Sequence, residues 1–307
     1  MIIAKKGGAI DGVCSMNGFL AKMGYSPEDR VLITHIDDIG FSHAANVAGF
    51  ECLDVGAASC GSILVNGPWF QEAVTRVRNQ PGYDVGIHLT LTCEYSNFRW
   101  AALSSRDPAT GLLDDQGYLW RTREDAIRHV TVHAARAEMR AQIETALATG
   151  VSFTHIDTHM GSVVHPKFLA DYLALAEEYG LVAFLPKMTR AALADINRAE
   201  MADDYLRILE KVDQDRVPTL DQILIETLIP VNDKSAFYRQ LIDKVQPGLT
   251  HLLFHPARMS DELLAIDLER PESRHADYLA WRDPALKQYI LDAGIHLLGY
   301  KELQANL

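Results

Sequence analysis

The chain has 307 residues, 48% of them apolar and 23% charged, which excludes a collagenous, low-complexity or disordered protein. Lys and Arg number 29 against 41 Asp and Glu, a net charge of −12, and no basic cluster interrupts that surplus, so a nucleic-acid partner is not expected. No apolar run reaches the roughly 18 residues of a membrane span, and Gly7, Gly8 and Asp11 stand where a signal peptide needs its apolar stretch. The four cysteines, Cys14, Cys52, Cys60 and Cys93, show no paired spacing and read as reduced thiols. The expectation is a cytoplasmic protein without a membrane partner.

Residues 1–30 are mixed in character and end in the turn-like Ser26-Pro27-Glu28-Asp29, an N-terminal extension ahead of a single domain over 31–307. From there short runs rich in Val, Ile, Leu and Thr predict strands at 31–36, 61–65, 85–91, 152–155, 182–185, 223–228, 249–254 and 295–298. Amphipathic stretches between them predict helices at 43–55, 70–79, 123–149, 166–179, 199–212, 234–245 and 274–293. Gly150 and Gly180 stand just past the last periodic residue of two of these, where a helix ends, and Pro166 suits a first turn. About eight strands alternating with helices predict a parallel sheet closed as a (β/α) barrel, with an open doubly wound sheet as the alternative. Two segments interrupt the alternation, near 94–122 (polar, turn-rich, with Tyr95, Phe98, Trp100 and Tyr118) and 188–219 (charged and helical). Both follow strands, so both are expected over the C-terminal face of the barrel, as loops that wall a site.

The chemistry lies in where four blocks fall. Thr34-His35-Ile36-Asp37-Asp38-Ile39-Gly40 ends the first strand, and Gly86-Ile87-His88-Leu89-Thr90-Leu91-Thr92 makes the third. Thr154-His155-Ile156-Asp157-Thr158-His159 ends the fourth, and Leu253-Phe254-His255-Pro256 the seventh. Each has a plain structural reading: an Asp pair caps a turn, a lone His fills a core, and Asp-x-His forms a hydrogen-bonded pair. In a barrel, however, all strand C-termini open onto one face, so these histidines and carboxylates converge there. Two imidazoles plus one carboxylate leave coordination positions open, the pattern of a catalytic divalent site. Other signals are missing: no G-x-S-x-G, G-x-G-x-x-G or Walker loop occurs, and His129 and His133, four apart on a predicted helix, lack the Glu of H-E-x-x-H.

Taken together and in this order, Asp37-Asp38-x-Gly40, Gly86-x-His88-Leu89-x-Leu91-Thr92, His155-x-Asp157-x-His159 followed by Pro166, and His255-Pro256 resemble the YdjC-like carbohydrate deacetylases, relatives of the polysaccharide deacetylases. The likeness runs from about Val31 to the C-terminus. It implies a distorted (β/α) barrel, often dimeric, that holds one divalent metal and takes a small carbohydrate substrate. The implied ligands are Asp38, His88 and His159, with Asp37 as general base and His255 on the acid side. The resemblance allows magnesium, whereas two imidazoles and a carboxylate suit zinc better. Two departures stand out: the family opens its first block Asn-Ala-Asp-Asp-Phe-Gly where this chain reads from His35, and alternating histidines after Asp-x-His are replaced by Met160, Gly161, Ser162 and Val163, with His165 beyond them.

The expected reaction is hydrolysis of an N-acetyl group, less readily an O-acetyl group, on a sugar. The metal would activate water, Asp37 would take its proton and His255 would protonate the leaving amine. Asp157 is expected to orient His159 or His155 from behind, and Trp100 and Tyr95, with Trp120 and Phe98, to stack on sugar faces or pack their loop. Another metal-dependent barrel hydrolase (amide or phosphoester) and a non-catalytic sugar-binding relative remain alternatives. A phosphoester substrate would call for an Arg or Lys clamp, and none is evident in the sequence.

Overall fold

A computed structural model describes residues 17–307; Cys14 and the first half of the expected N-terminal extension lie outside the described residues. Its strands are β1 (Arg30–Ile39), β2 (Cys60–Ile63), β3 (Val85–Leu89), β4 (His155–Thr158), β5 (Val182–Ala183), β6 (Gln222–Ile225), β7 (Gly248–Phe254) and β8 (His296–Leu297). Seven run parallel in the order β5-β4-β3-β2-β1-β7-β6, and the sheet curls until its edges meet. The meeting is a single bridge, in which Leu220 donates its N–H to Leu185 O at 2.9 Å and Lys187 donates to Leu220 O at 2.8 Å. The result is a distorted (β/α) barrel. The eighth strand does not complete the ring as an ideal barrel would have it. β1 and β7 pair directly over seven residues, and β8 joins β1 only at Val31 and Leu32, below the stretch where β2 takes that edge.

Strand alternation decides what faces inward. On β1, Leu32 and Ile36 pack outward into the main apolar core under the helices, with Ile87, Ile156, Leu252 and Phe254 from neighbouring strands. Val31 and Ile33 point inward with Leu249, Val182 and Phe184. One step further up the same inward row stand His35 and then Asp37. A layer of imidazoles (His35, His155 and His251, all nearly solvent-free) therefore separates an apolar floor from a polar mouth. The floor is sealed by the helix Gly18–Lys22, which buries Phe19 and Leu20 in the inner cluster beside Leu298, Tyr300 and Leu303.

Two predicted helices are each divided. The stretch 123–149 is Arg123–His129 and Val132–Leu147, because Val130 turns extended and the Thr131 side chain accepts the Ala134 N–H as a new cap. His129 and His133 thus lie on separate helices, and His129 stacks on Trp120 at 4.2 Å. The stretch 274–293 belongs to Pro271–Trp281 and Pro284–Asp292; Pro284 cannot continue a helix, and Asp283 caps the next one. The segment 94–122 is irregular apart from a turn of 3-10 helix at Pro108–Thr110, whereas 188–219 carries the short helices Arg190–Asp195 and Ala202–Leu209.

Candidate metal centre and active site

The adjacent carboxylates of β1 reach the same space through a bulge. Ile36 faces Gly61 of β2 and Ile39 faces Ile63, so three steps on β1 match two on its partner. Asp38 takes up the extra residue in the left-handed region, φ 66°. In regular strand Asp37 and Asp38 would point to opposite faces; the bulge turns both toward the barrel mouth. A non-glycine residue held there is the kind of local strain found at functional sites.

Asp38 meets two histidines. Its Oδ1 lies 3.3 Å from His88 Nε2 of β3 and 3.1 Å from His159 Nδ1, which follows β4 directly. The two ring nitrogens are 3.3 Å apart. Asp38 Oδ1 is buried and has no hydrogen-bond donor. The other nitrogen of each ring is taken by a carboxylate: His88 Nδ1 by Asp157 Oδ1 at 2.9 Å, and His159 Nε2 by Glu94 Oε2 at 2.8 Å. Ser62 Oγ in turn donates to Asp157 Oδ2 at 2.7 Å. Carboxylates behind imidazoles in this way fix which nitrogen faces a metal and raise its basicity. In a tetrahedral centre with ligands about 2.0–2.1 Å from the ion, donor atoms lie roughly 3.3 Å apart. The three atoms at this site have that spacing, the donor chemistry and one orphaned carboxylate oxygen; the residues present fit a divalent cation.

Burial works against a charge on Asp38, but Arg274 and the His159 and His88 rings outweigh it and hold its carboxyl well below the usual range. Burial likewise opposes charge on His159, yet Glu94 and Asp38 hold its ring up, to about 9. His88 is raised in the same manner against burial, chiefly by Asp157. Arg274 enters from the helix Pro271–Trp281: Nη1 donates to Asp38 Oδ2, Nε to Asp267 and Nη2 to Tyr95 Oη, each at 2.9 Å. A cation thus stands at the site where the sequence offered none, but each of its nitrogens is already engaged.

Asp37 lies beside this centre, between two imidazoles. Its Oδ1 meets His35 Nδ1 at 2.8 Å, and its Oδ2 lies 3.8 Å from His255 Nε2. His255, at the end of β7, donates its backbone N–H to Asp277 Oδ2 at 3.1 Å, while its buried Nδ1 has no partner. Burial lowers the His255 ring, partly offset by Asp38 and Asp37.

The structure therefore brings together Asp37, Asp38, His88, His159, His255, His35 and Asp157. Asp157 stands behind His88 and not behind His159 or His155, the two expected rings; the carboxylate behind His159 is Glu94, and the His155 nitrogens meet His35 and Thr154. Trp100 and Tyr95 are buried at the edge of the site. Trp100 donates Nε1–H to Thr92 O at 2.9 Å with its ring 6.0 Å from His159, and Tyr95 stacks on Phe41 at 5.7 Å. His165 is elsewhere: it caps the helix Pro166–Tyr179, accepting the Lys167 N–H at 3.2 Å. Sequence reasoning missed Glu94, Ser62 and Arg274. Glu94 and Ser62 could have been found, Ser62 as the inward residue of β2 and Glu94 as the first acid after β3. Arg274 is 236 residues from Asp38 and carried no signal.

Among curated proteins, a carbohydrate deacetylase of Thermus thermophilus is 30% identical over 278 residues, covering 91% of this chain and 95% of its own length. A carbohydrate deacetylase of Thermoanaerobacter pseudethanolicus is 26% identical, covering 90% of this chain and all of its own. Among solved structures, a proposed cellobiose-phosphate cleavage protein of Enterococcus faecalis superposes with a TM-score of 0.70 at 24% identity, covering 90% of this chain and 99% of that one, so the barrel is shared. No helix among the described residues is long and apolar enough to cross a membrane. The profile of the YdjC-like proteins matches residues 31–292, which contain all four blocks at the barrel mouth, and the chain belongs to that family.

Proposed function

We propose that the protein is a metal-dependent hydrolase that removes the acetyl group from an N-acetylated sugar. The observation that carries this reading is the convergence of Asp38 Oδ1, His88 Nε2 and His159 Nδ1 beside Asp37 and His255, in a chain whose relatives are named carbohydrate deacetylases. A divalent cation held by Asp38, His88 and His159, zinc on the chemistry of two imidazoles and a carboxylate, would polarise the acetyl carbonyl and make water a stronger nucleophile. Asp37 takes the proton of that water through Oδ2, the oxygen not engaged by His35. His255, facing the same oxygen, carries a proton to the leaving nitrogen, which departs as the free amine. Arg274 holds Asp38 in place through its second oxygen, and Asp157 and Glu94 hold the two rings. The engagement of every Arg274 nitrogen favours this reading over a phosphoesterase, which would need a free guanidinium to clamp its substrate.

The test pairs metal analysis with turnover. Purified protein is expected to carry about one divalent ion per chain, lost in His88→Ala, and to release acetate from N-acetylated sugars. Asp37→Asn is expected to keep the ion and lose turnover by about 10²- to 10⁴-fold, the range for a missing general base. Protein that binds no metal after reloading, or an Asp37→Asn variant of full activity, overturns the reading.

A further inference from the structure

A hydrogen-bonded chain of five side chains runs through the barrel from mouth to floor. Asp37 Oδ1 meets His35 Nδ1 at 2.8 Å, His35 Nε2 meets His155 Nε2 at 2.9 Å, and His155 Nδ1 meets Thr154 Oγ1 at 2.8 Å. Thr154 Oγ1 meets Asp84 Oδ1 at 2.5 Å, and Asp84 Oδ2 accepts the Lys301 N–H at 2.8 Å. All five residues are buried, so the links answer to one another and not to bulk water. The chain passes His155 only because position 86 is glycine: a Cβ there would stand 2.4 Å from the His155 ring.

A neutral imidazole has one donor and one acceptor, and a hydroxyl carries one hydrogen, so the direction of each link sets the next. Asp37 Oδ1, as the oxygen of a base, accepts from His35 Nδ1–H. The Thr154 hydroxyl donates to Asp84 Oδ1, so Thr154 Oγ1 accepts from His155 Nδ1–H and His155 Nε2 accepts from His35 Nε2–H. His35 thus donates along the chain and toward Asp37, and its two ring nitrogens face two carboxylates, Asp37 Oδ1 at 2.8 Å and Asp157 Oδ2 at 3.6 Å. Burial also works on Asp84 directly and pushes its carboxyl above the ordinary range, against the Thr154 and Lys301 hydrogen bonds.

We propose that His35 is the positioning residue of Asp37, and that it is locked as a donor toward Asp37 Oδ1 by the directed links through His155 and Thr154 to Asp84 at the barrel floor. The proposal rests on the reading of Asp37 as the base. Its consequence is that one oxygen of Asp37 is permanently engaged, which leaves Oδ2 aimed at the mouth and at His255.

The experiment compares paired variants by kcat, KM, metal content and thermal unfolding. Asp84→Leu breaks the chain at its far end and is expected to lower kcat by about 10- to 100-fold, the range for loss of a group that orients another, with KM and metal content unchanged. Asp84→Asn is expected to restore part of that loss, because its amide oxygen still accepts the Thr154 hydroxyl where Leu cannot. At the near end, His35→Asn places a donor where Nδ1 stood and should outpace His35→Gln, whose amide sits at the Nε2 position and reaches the wrong way. A merely structural role would lower the unfolding temperature of these variants without ordering their kcat values in this way. Asp84→Asn as impaired as Asp84→Leu, or His35→Gln as active as His35→Asn, overturns the proposal. If Asp84→Leu does not fold, the His35 pair decides. Asp37→Asn, run alongside, separates the two levels: a fully active Asp37→Asn refutes the base, whereas an inactive one beside indifferent His35 and Asp84 variants refutes only the relay.

Discussion

At the scale of single residues, the centre is a balance between one buried carboxylate and the groups that compensate it. Asp38 is ionised against its own burial because Arg274 sits on one oxygen and two imidazoles face the other. That arrangement fixes the sign of the proton exchange when metal binds. His159 has its ring held up to about 9 in the metal-free protein by Glu94 and Asp38, so at neutral pH Nδ1 bears the hydrogen that a metal must displace. Loading the ion at pH 7 is therefore expected to release at least one proton per site. Apparent affinity should climb by about tenfold per pH unit for each proton released, and level off above the ring's own range. Titration calorimetry in buffers of different ionisation enthalpy measures this directly. A binding enthalpy that does not change with the buffer would mean that His159 is already neutral and that Glu94 does not act on it. The three proposed ligands were legible in the sequence as residues of the barrel mouth, because each lies beside a strand end. Glu94 and Arg274 were not: one comes from an irregular loop and the other from a distant helix, and neither location follows from strand periodicity.

At the scale of elements, period-2 alternation explains most of what the sequence disclosed. Reading β1 by twos gives Val31, Ile33, His35 and Asp37; reading up from β4 gives His155, Asp157 and His159; and β3 contributes Gly86 and His88. Apolar residues fill the low positions and chemistry the high ones, so the inward rows carry the site. What alternation cannot show is the bulge, since one inserted residue shifts Asp38 onto the face its neighbour already occupies. The helices that divide at Val130 and at Asp283-Pro284 failed for a similar reason, because a cap is a local event inside a longer amphipathic pattern. Gly86 is where an element meets the site most tightly. A Gly86→Ala methyl would stand 2.4 Å from the His155 ring, with a strand on either side of β3 and little room to yield. Overpacking of this kind typically costs about 1–3 kcal/mol. Urea unfolding should show that loss together with a drop in kcat, as His155 is pushed away from His35. A variant as stable as the parent would mean that the barrel interior has slack that the layered packing does not suggest.

At the scale of the whole molecule, the barrel is graded along its axis, with apolar side chains at the floor, imidazoles in the middle, and carboxylates with their histidines at the mouth. The grading needs the floor to stay dry, since the buried links between Asp84 and His35 keep their directions only where water cannot compete. Part of that seal comes from residues the sequence assigned outside the barrel domain. Phe19 and Leu20 are buried against Val31, Val182, Leu220 and Leu249, and Asn17 ties the helix down by donating to Thr219 O at 2.9 Å and Asp221 Oδ2 at 2.7 Å. The segment looked like an extension because it precedes the first strand and has no repeated apolar pattern; two large apolar side chains at the right place suffice to plug a ring of seven strands. Phe19→Ala empties that plug, and truncating a fully buried Phe costs about 3–5 kcal/mol. The proposed ligands lie at the opposite end, so the folded variant is expected to bind a divalent ion with the parent's stoichiometry while its urea midpoint falls. Loss below about 1 kcal/mol would place Phe19 outside the cooperative unit and make the floor a detachable lid. Lost metal binding in a protein that remains folded would show instead that floor and mouth are mechanically coupled through the imidazole layer.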